Sequence, residues 1–317
     1  MSPTLTSSRV AVVSGKGGVG KTTVAASLSL AAAARGKRVL LVEVEGRDAI
    51  GRPFGVGALG YREQRLAEGV FGLSVSPEEA LGEYLKLFYG IGRVGGALAR
   101  TKAVEFATDT APGLRDILLI GKVKEAERRR QEGRYVYDLI VVDAPPTGRL
   151  PRFLEAPRAV VDLVRSGPIR NQAQGVLDMV FDPKRLQVVL VTLPEDMSVR
   201  ETAESVETLG KMGVALGPII VNGMWKELDM RALGRDPAGT LRKASKSAGI
   251  ELSDEALTRL AELAVAHGRR ARNQRKAIEE LEDPDVSLLL LPYLYTVAIG
   301  PEEVKLLAES LEKSGAM

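Results

Sequence analysis

A chain of 317 residues can bury one large core or split into two, and 45% hydrophobic with 27% charged content is ordinary for a soluble globular protein. Its 44 basic and 41 acidic residues leave a net charge of only +3, which argues against a nucleic-acid coat or polybasic membrane binding. Cysteine is absent and His267 is the single histidine, so disulfides, cysteine-ligated zinc and thiolate chemistry are excluded.

The N-terminal MSPTLTSSRV has no apolar signal core. The longest apolar run near the end, Val286 to Ile299, contains Pro292 and falls short of the about 20 residues a bilayer helix needs. A cytoplasmic protein with no integral membrane segment is expected. Val10 to Val13 reads as a short buried strand, and Val24 to Ala34 as an alanine-rich helix. Between them stand Ser14, Gly15, Lys16, Gly17, Gly18, Val19, Gly20, Lys21, Thr22 and Thr23, which contain the GxxxxGK(S/T) spacing in the required strand–loop–helix context. Glycines let successive N–H groups turn toward phosphate oxygens, and the helix N-terminus adds its positive dipole end. Lys21 is placed to reach the β- and γ-phosphates, and Thr22 to offer its hydroxyl to Mg²⁺. The stretch predicts a nucleoside-triphosphate site. Lys16 is a second lysine inside the loop, to be read either as a solubilising surface charge or as a functional cation.

Val39 to Val42, flanked by Lys37–Arg38 and Glu43, predicts a parallel strand buried on both faces. Glu43 and Glu45 follow at its carboxyl end, near the expected phosphates, where simple strand-end solvation is the competing reading. Gly72 to Val75 predicts another strand. Ser76 is an N-cap before Pro77 and two early acids. Residues 90–100 are glycine-rich and read as a mobile segment, and Ala111 to Asp116 opens a helix running to Arg128–Arg130, a solvated basic helix end.

Tyr137 to Asp143 is a strand ending in aspartate, suited to holding Mg²⁺ through water. The loop after it, with Pro146, Thr147, Gly148 and Arg149, combines rigid prolines with a glycine hinge and reads as a γ-phosphate switch. Residues 152–181 read as broken helices, Leu186 to Leu193 as a strand, and Ser198–Glu201 as a capping box starting a helix that ends near Gly213. Ile219 to Asn222 is a further strand, 226–283 is charged and helix-forming, Val286 to Leu291 is the last strand, and Glu302 to Leu311 the closing amphipathic helix.

The loop KGGVGKT resembles the deviant Walker A loop of the SIMIBI ATPases, which include septum-site, plasmid-partition, nitrogenase-iron-protein and arsenical-pump ATPases. VVDAPPTGRLPRFLEAP at 141–157 is similar to the switch of the arsenical-pump and tail-anchored-protein-targeting branch. LSVSPEEALGEYL, APGLRD, TLPEDMSVRET and LPYLYTVAIGPEEV look like their counterparts there, so the likeness covers nearly the whole chain and is nearest to the actinobacterial anion-transporting-ATPase members.

The resemblance implies an α/β P-loop NTPase with a mostly parallel twisted sheet, flanking helices and an inserted helical subdomain. One domain would span 1–317, with helical insertions at approximately 76–133, 150–185 and 226–283. It further implies a dimeric, Mg²⁺-dependent ATPase that hydrolyses ATP to switch a client- or partner-binding surface. Lys16 would act across the dimer and Asp143 as the switch aspartate near Mg²⁺. Asn222 would read adenine with Pro292 closing over it. Glu45 falls where the family has a water-activating aspartate, one methylene shorter, and Arg149 replaces the switch histidine. The partner would be a second copy or a paralogue, and the client an unidentified protein, membrane-associated ones included; no nucleic acid is expected. A non-hydrolysing subunit of a heterodimer and a positioning ATPase of the partition type are the alternative readings.

Overall fold

The computed structural model describes residues 4–44, 46, 48–89, 113–281, 286–315 and 317, and of residues 84–89 and 114 the backbone alone. Three of the sequence expectations fall on positions outside that set: Glu45, the glycine-rich stretch 90–100, and the opening Ala111–Pro112 of the helix that follows.

The apolar runs become the centre of an eight-stranded sheet. In chain order its strands are β1 (Val10–Gly15), β2 (Val39–Glu43), β3 (Gln64–Ala67), β4 (Val70–Ser74), β7 (Leu139–Asp143), β8 (Leu186–Thr192), β9 (Ile219–Met224) and β10 (Leu288–Pro292), arranged β10-β9-β8-β1-β7-β2-β4-β3. All neighbours pair in parallel except the edge strand β3, which runs antiparallel to β4. Strands β5 (Arg130–Gln131) and β6 (Arg134–Tyr135) form a separate small hairpin. Every residue of β1, β2, β7 and β8 is buried, which is why each reads as an uninterrupted apolar run.

Alternation along these strands feeds two cores. Ala11, Val13, Val39, Leu41, Leu139 and Val141 pack with α1 (Lys21–Ala34). Val10, Val12, Leu40, Val42, Ile140 and Val142 pack on the opposite face with buried residues of the next helices. Those helices are α2 (Pro77–Tyr89), α3 (Leu114–Arg128), α4 (Leu150–Leu163), α5 (Pro168–Val180) and α6 (Asp196–Met212). The charged stretch after β9 resolves into α7 (Met230–Leu233), α8 (Pro237–Ser247) and α9 (Asp254–Ile278), and α10 (Pro301–Lys313) closes the chain against α1. Among the described residues no helix is long and apolar enough to cross a membrane.

Local chemistry explains several boundaries. Ser76 does cap α2: its Oγ accepts from the Glu79 N–H at 3.1 Å, ahead of Pro77 in the first turn. The expected break within 152–181 comes at Gly167, whose φ of 112° separates α4 from α5, while Pro157 is carried inside α4. Two expectations need correction. Helix α6 begins at Asp196, not at Ser198; the Ser198 hydroxyl instead meets the Thr192 hydroxyl at 2.9 Å and accepts from the Leu193 N–H, closing the end of β8. That local bond competes with a cap and wins, and it leaves Glu201 for another partner. The arginine run is likewise no simple helix end. Only Arg128 belongs to α3; Arg129 is held by Glu125 and Glu63, and Arg130 lies over the Tyr135 ring in the hairpin.

Candidate functional site

The carboxyl ends of β1, β2, β7 and β8 meet at the head of α1, where an α/β sheet offers its ligand crevice. The loop from Gly15 to Gly20 bends there through two left-handed residues, Gly18 at φ 86° and Gly20 at φ 90°. Only glycine adopts those angles without strain, and the turn brings backbone N–H groups to one side, as an anion-binding nest requires. Gly15 is needed for a different reason. A Cβ on it would collide with the Val191 carbonyl of β8, so the loop leaves the sheet in direct backbone contact with its neighbour. Gly15→Ala is expected to cost about 1–3 kcal/mol of stability, as overpacking does, and urea unfolding monitored by circular dichroism would measure it.

Lys21 opens α1 and is 5% exposed, with its ammonium donating to the Lys16 carbonyl at 3.0 Å. The Thr22 hydroxyl donates to Asp143 Oδ2 at 2.6 Å, joining the first turn of α1 to the tip of β7 across 121 positions of chain. Asp143 is 6% exposed. Hydroxyl and carboxylate oxygens are the donors a hard cation such as Mg²⁺ takes, usually one or two from protein with water and phosphate completing the shell. Among the described residues there is no group of three or more His, Cys, Asp and Glu that could hold a metal ion.

The loop after Asp143 is clasped onto the glycine loop. The Ser14 hydroxyl donates to the Pro145 carbonyl at 2.6 Å, Ala144 N–H to the Val13 carbonyl at 3.0 Å, and Thr147 N–H to the Gly15 carbonyl at 3.3 Å. Pro146 accepts from the N–H groups of Arg149 and Leu150 and so starts α4, while Gly148 lies beside the cleft described below. Arg149 Nη2 reaches Asp116 Oδ1 of α3 at 2.7 Å, tying the loop to the helical layer.

Lys16 turns its side chain to α6, where its ammonium binds Glu201 Oε1 at 2.7 Å with both side chains partly exposed. Its partner is hidden in the sequence because Glu201 fits the capping-box spacing; the signal available is the second lysine of the loop. A cleft of about 390 Å³ opens beside this pair, lined by Thr147, Gly148 and Leu150 on one wall and Glu201, Glu204 and Ser205 on the other. Glu201→Gln is expected to change any ATP turnover by no more than about fivefold, because a solvent-exposed pair is worth at most about 1 kcal/mol. Steady-state phosphate release would read it.

Asn222 lies within β9 rather than at its tip, since the strand continues to Met224. Its Nδ2 donates to the Val19 carbonyl at 2.9 Å and sits so close that a Cβ on Gly20 would crowd it. Asn222 therefore braces the glycine loop. Pro292 ends β10 in register with Met224, on the sheet edge where a residue without an N–H is tolerated. Val19 is buried and Gly17 exposed; Thr23 follows Thr22 in the first turn of α1, its carbonyl accepting from the Ser27 hydroxyl. The structure thus brings together the glycine loop, Lys21, Thr22, Asp143 and the loop of residues 144–149, with Asn222 bonded to the glycine loop, and places Pro292 farther out on the edge strand.

A family model described as anion-transporting ATPase matches residues 8–173 and 167–234 of the chain. ATPase BagA of Mycobacterium tuberculosis is 41% identical over 321 aligned residues, covering 97% of this chain and 93% of its own length. An arsenical pump-driving ATPase of Acidiphilium multivorum is 26% identical over 68% of this chain and 39% of its own. ATPase GET3 of Komagataella phaffii is 26% identical over 66% of this chain and 71% of its own.

Proposed function

We propose a function from one premise: the chain belongs to the anion-transporting ATPase family, whose members use nucleotide. The protein is a Mg²⁺-dependent ATPase that works as a dimer and couples hydrolysis of ATP to opening and closing a surface for a protein client or partner. The observation that carries this reading is the Thr22–Asp143 hydrogen bond at 2.6 Å, which joins the two oxygen donors for a metal at the head of the phosphate loop.

In this reading the N–H groups of residues 17–22 cradle the phosphates and Lys21 reaches the β- and γ-oxygens. Thr22 and Asp143 would hold Mg²⁺, which when bound would neutralise charge on those oxygens. Glu45 orients the attacking water and accepts its proton. Lys16 belongs to the neighbouring subunit's nucleotide. Its present bond to Glu201 is exposed and weak, so exchange onto a facing γ-phosphate costs little. A cation placed on charge that grows in the transition state acts as an arginine finger does, and Lys16 in the deviant Walker A position would fill that role.

Coupling runs through residues 143–149. Loss of the γ-phosphate alters the contacts of Asp143, and the loop's bonds to Ser14 and Gly15 on one side and Asp116 on the other carry the change to α3 and α4. The cleft between the switch loop and α6 widens or narrows with it. Asn222 and Pro292 would frame the base. Phosphate release from ATP by the purified protein, measured with Mg²⁺ and with EDTA, tests the reading: metal-dependent turnover is expected, and tight nucleotide binding with no release of phosphate, alone or with a paralogue, would overturn it.

A further inference from the structure

Glu43 closes β2 directly beside Asp143, with which it is in register across the β2–β7 pair. In-register residues of parallel strands share a sheet face, and for these two it is the face that carries Leu41, Val141 and α1. Glu43 is 1% exposed, the most deeply buried carboxylate at this end of the sheet among the described residues. One of its oxygens is used: Oε1 accepts from the Ala49 N–H at 3.0 Å, folding the loop after β2 back onto the strand. The other, Oε2, is buried with no hydrogen-bond partner.

A carboxylate oxygen held out of water without a donor is costly, and a fold keeps one where something else supplies the donor or the charge. Loop closure does not explain it, since Oε1 alone makes that bond and an amide would serve as well. The neighbours name the missing partner. Asp143, in register with Glu43, accepts from the Thr22 hydroxyl of α1, and that pair is the expected seat of the divalent cation, which as Mg²⁺ keeps several of its waters when bound. Such waters are strong donors, and outer carboxylates that accept from them set metal affinity.

We propose that Glu43 is a further residue of the metal–nucleotide site, its Oε2 accepting a hydrogen bond from the hydration shell of the cation held by Thr22 and Asp143. Its Oε1 at the same time accepts from the Ala49 N–H, so one buried side chain serves the metal and pins the chain at Ala49. This inference rests on the ATPase reading above.

The test uses Glu43→Gln, in which the amide oxygen can still accept from Ala49 while an NH₂ replaces the acceptor facing the metal. A fluorescent ADP analogue is titrated into the full-length protein in Mg²⁺ and again in EDTA, and the ratio of the two dissociation constants reports how strongly metal and nucleotide are coupled. The expected result is a ratio about 10–100-fold smaller in Glu43→Gln than in the wild type, with the EDTA constant unchanged and the melting temperature retained. Glu43→Asp, which keeps an anionic acceptor, is expected to lie between the two. An unaltered ratio in Glu43→Gln, a change confined to the EDTA constant, or a greater loss in Asp than in Gln would overturn the proposal while leaving the ATPase reading in place. A wild type whose binding is the same in Mg²⁺ and in EDTA would overturn the proposal alone, and one that binds no nucleotide in either would overturn both.

Discussion

Lys16→Ala is expected to lower ATP turnover about 10³-fold or more while leaving the dissociation constant for Mg·ADP within about threefold of wild type, the signature of a cation that acts on transition-state charge. The physical reason lies in its position. Lys21 is buried and bound to the Lys16 carbonyl, so the site's own lysine stays in place when the Lys16 side chain is removed. The Lys16 side chain lies across to α6 and Glu201, where its bond is half in solvent. Deleting it frees Glu201 on the surface and disturbs no core, so folding should be intact by circular dichroism and melting temperature. Steady-state phosphate release at saturating Mg·ATP, with a parallel binding titration, separates the two parameters. A loss of binding with turnover retained would assign Lys16 to ground-state affinity instead.

The second large effect is expected at Asp143. Asp143→Asn keeps the shape and a hydrogen bond with Thr22 but removes the charge that would face a cation, so the half-saturating Mg²⁺ concentration should rise about 10–100-fold and turnover fall by a similar factor. A Mg²⁺ titration of phosphate release at fixed high ATP reads both. Because the same residue begins the loop clasped by Ser14 and Gly15, the variant should also dwell in one conformation of that loop. Limited proteolysis with ADP and with a non-hydrolysable ATP analogue would then give the same pattern for Asp143→Asn but different patterns for the wild type.

Much of this architecture is legible in the chain because burial writes itself into composition. β1, β2, β7 and β8 are covered on both faces, and Val39 to Val42 or Leu139 to Val142 leaves no other economical reading. The phosphate loop is legible for a sharper reason: its glycines are fixed by angles and contacts that no side chain permits, as at Gly15 and Gly20. What escaped lies at edges and in pairings. β3 covers β4 with Gln64 to Ala67, two residues exposed and two half-buried, which carry no apolar run. The β5–β6 hairpin rests on two-residue strands joined at Glu132 and Gly133, both with positive φ, and a strand of two residues has no period to detect.

Side-chain partnerships were harder still. Ser198 and Glu201 have the spacing of a cap, yet the end of β8 claims the serine and the phosphate loop claims the glutamate. Glu43 reads as half of an acidic strand end. Only the fold reveals that it is fully enclosed, in register with Asp143, with one oxygen engaged and one not. Arg149 stands where the resemblance places a histidine, and the structure gives it a definite partner, Asp116 on α3.

The central claim is that each working site is assembled from two chains, Lys21 from one and Lys16 from the other. Mixing purified Lys16→Ala and Lys21→Ala proteins at equal concentration tests it most directly, because a mixed dimer carries one site with both lysines. Phosphate release should rise well above the sum of the two inactive proteins, to about a quarter of wild type, since about half of a statistical mixture is mixed dimers with one complete site each. Turnover no greater than that sum, after exchange of subunits has been demonstrated, would contradict the account and return Lys16 to its own subunit's nucleotide.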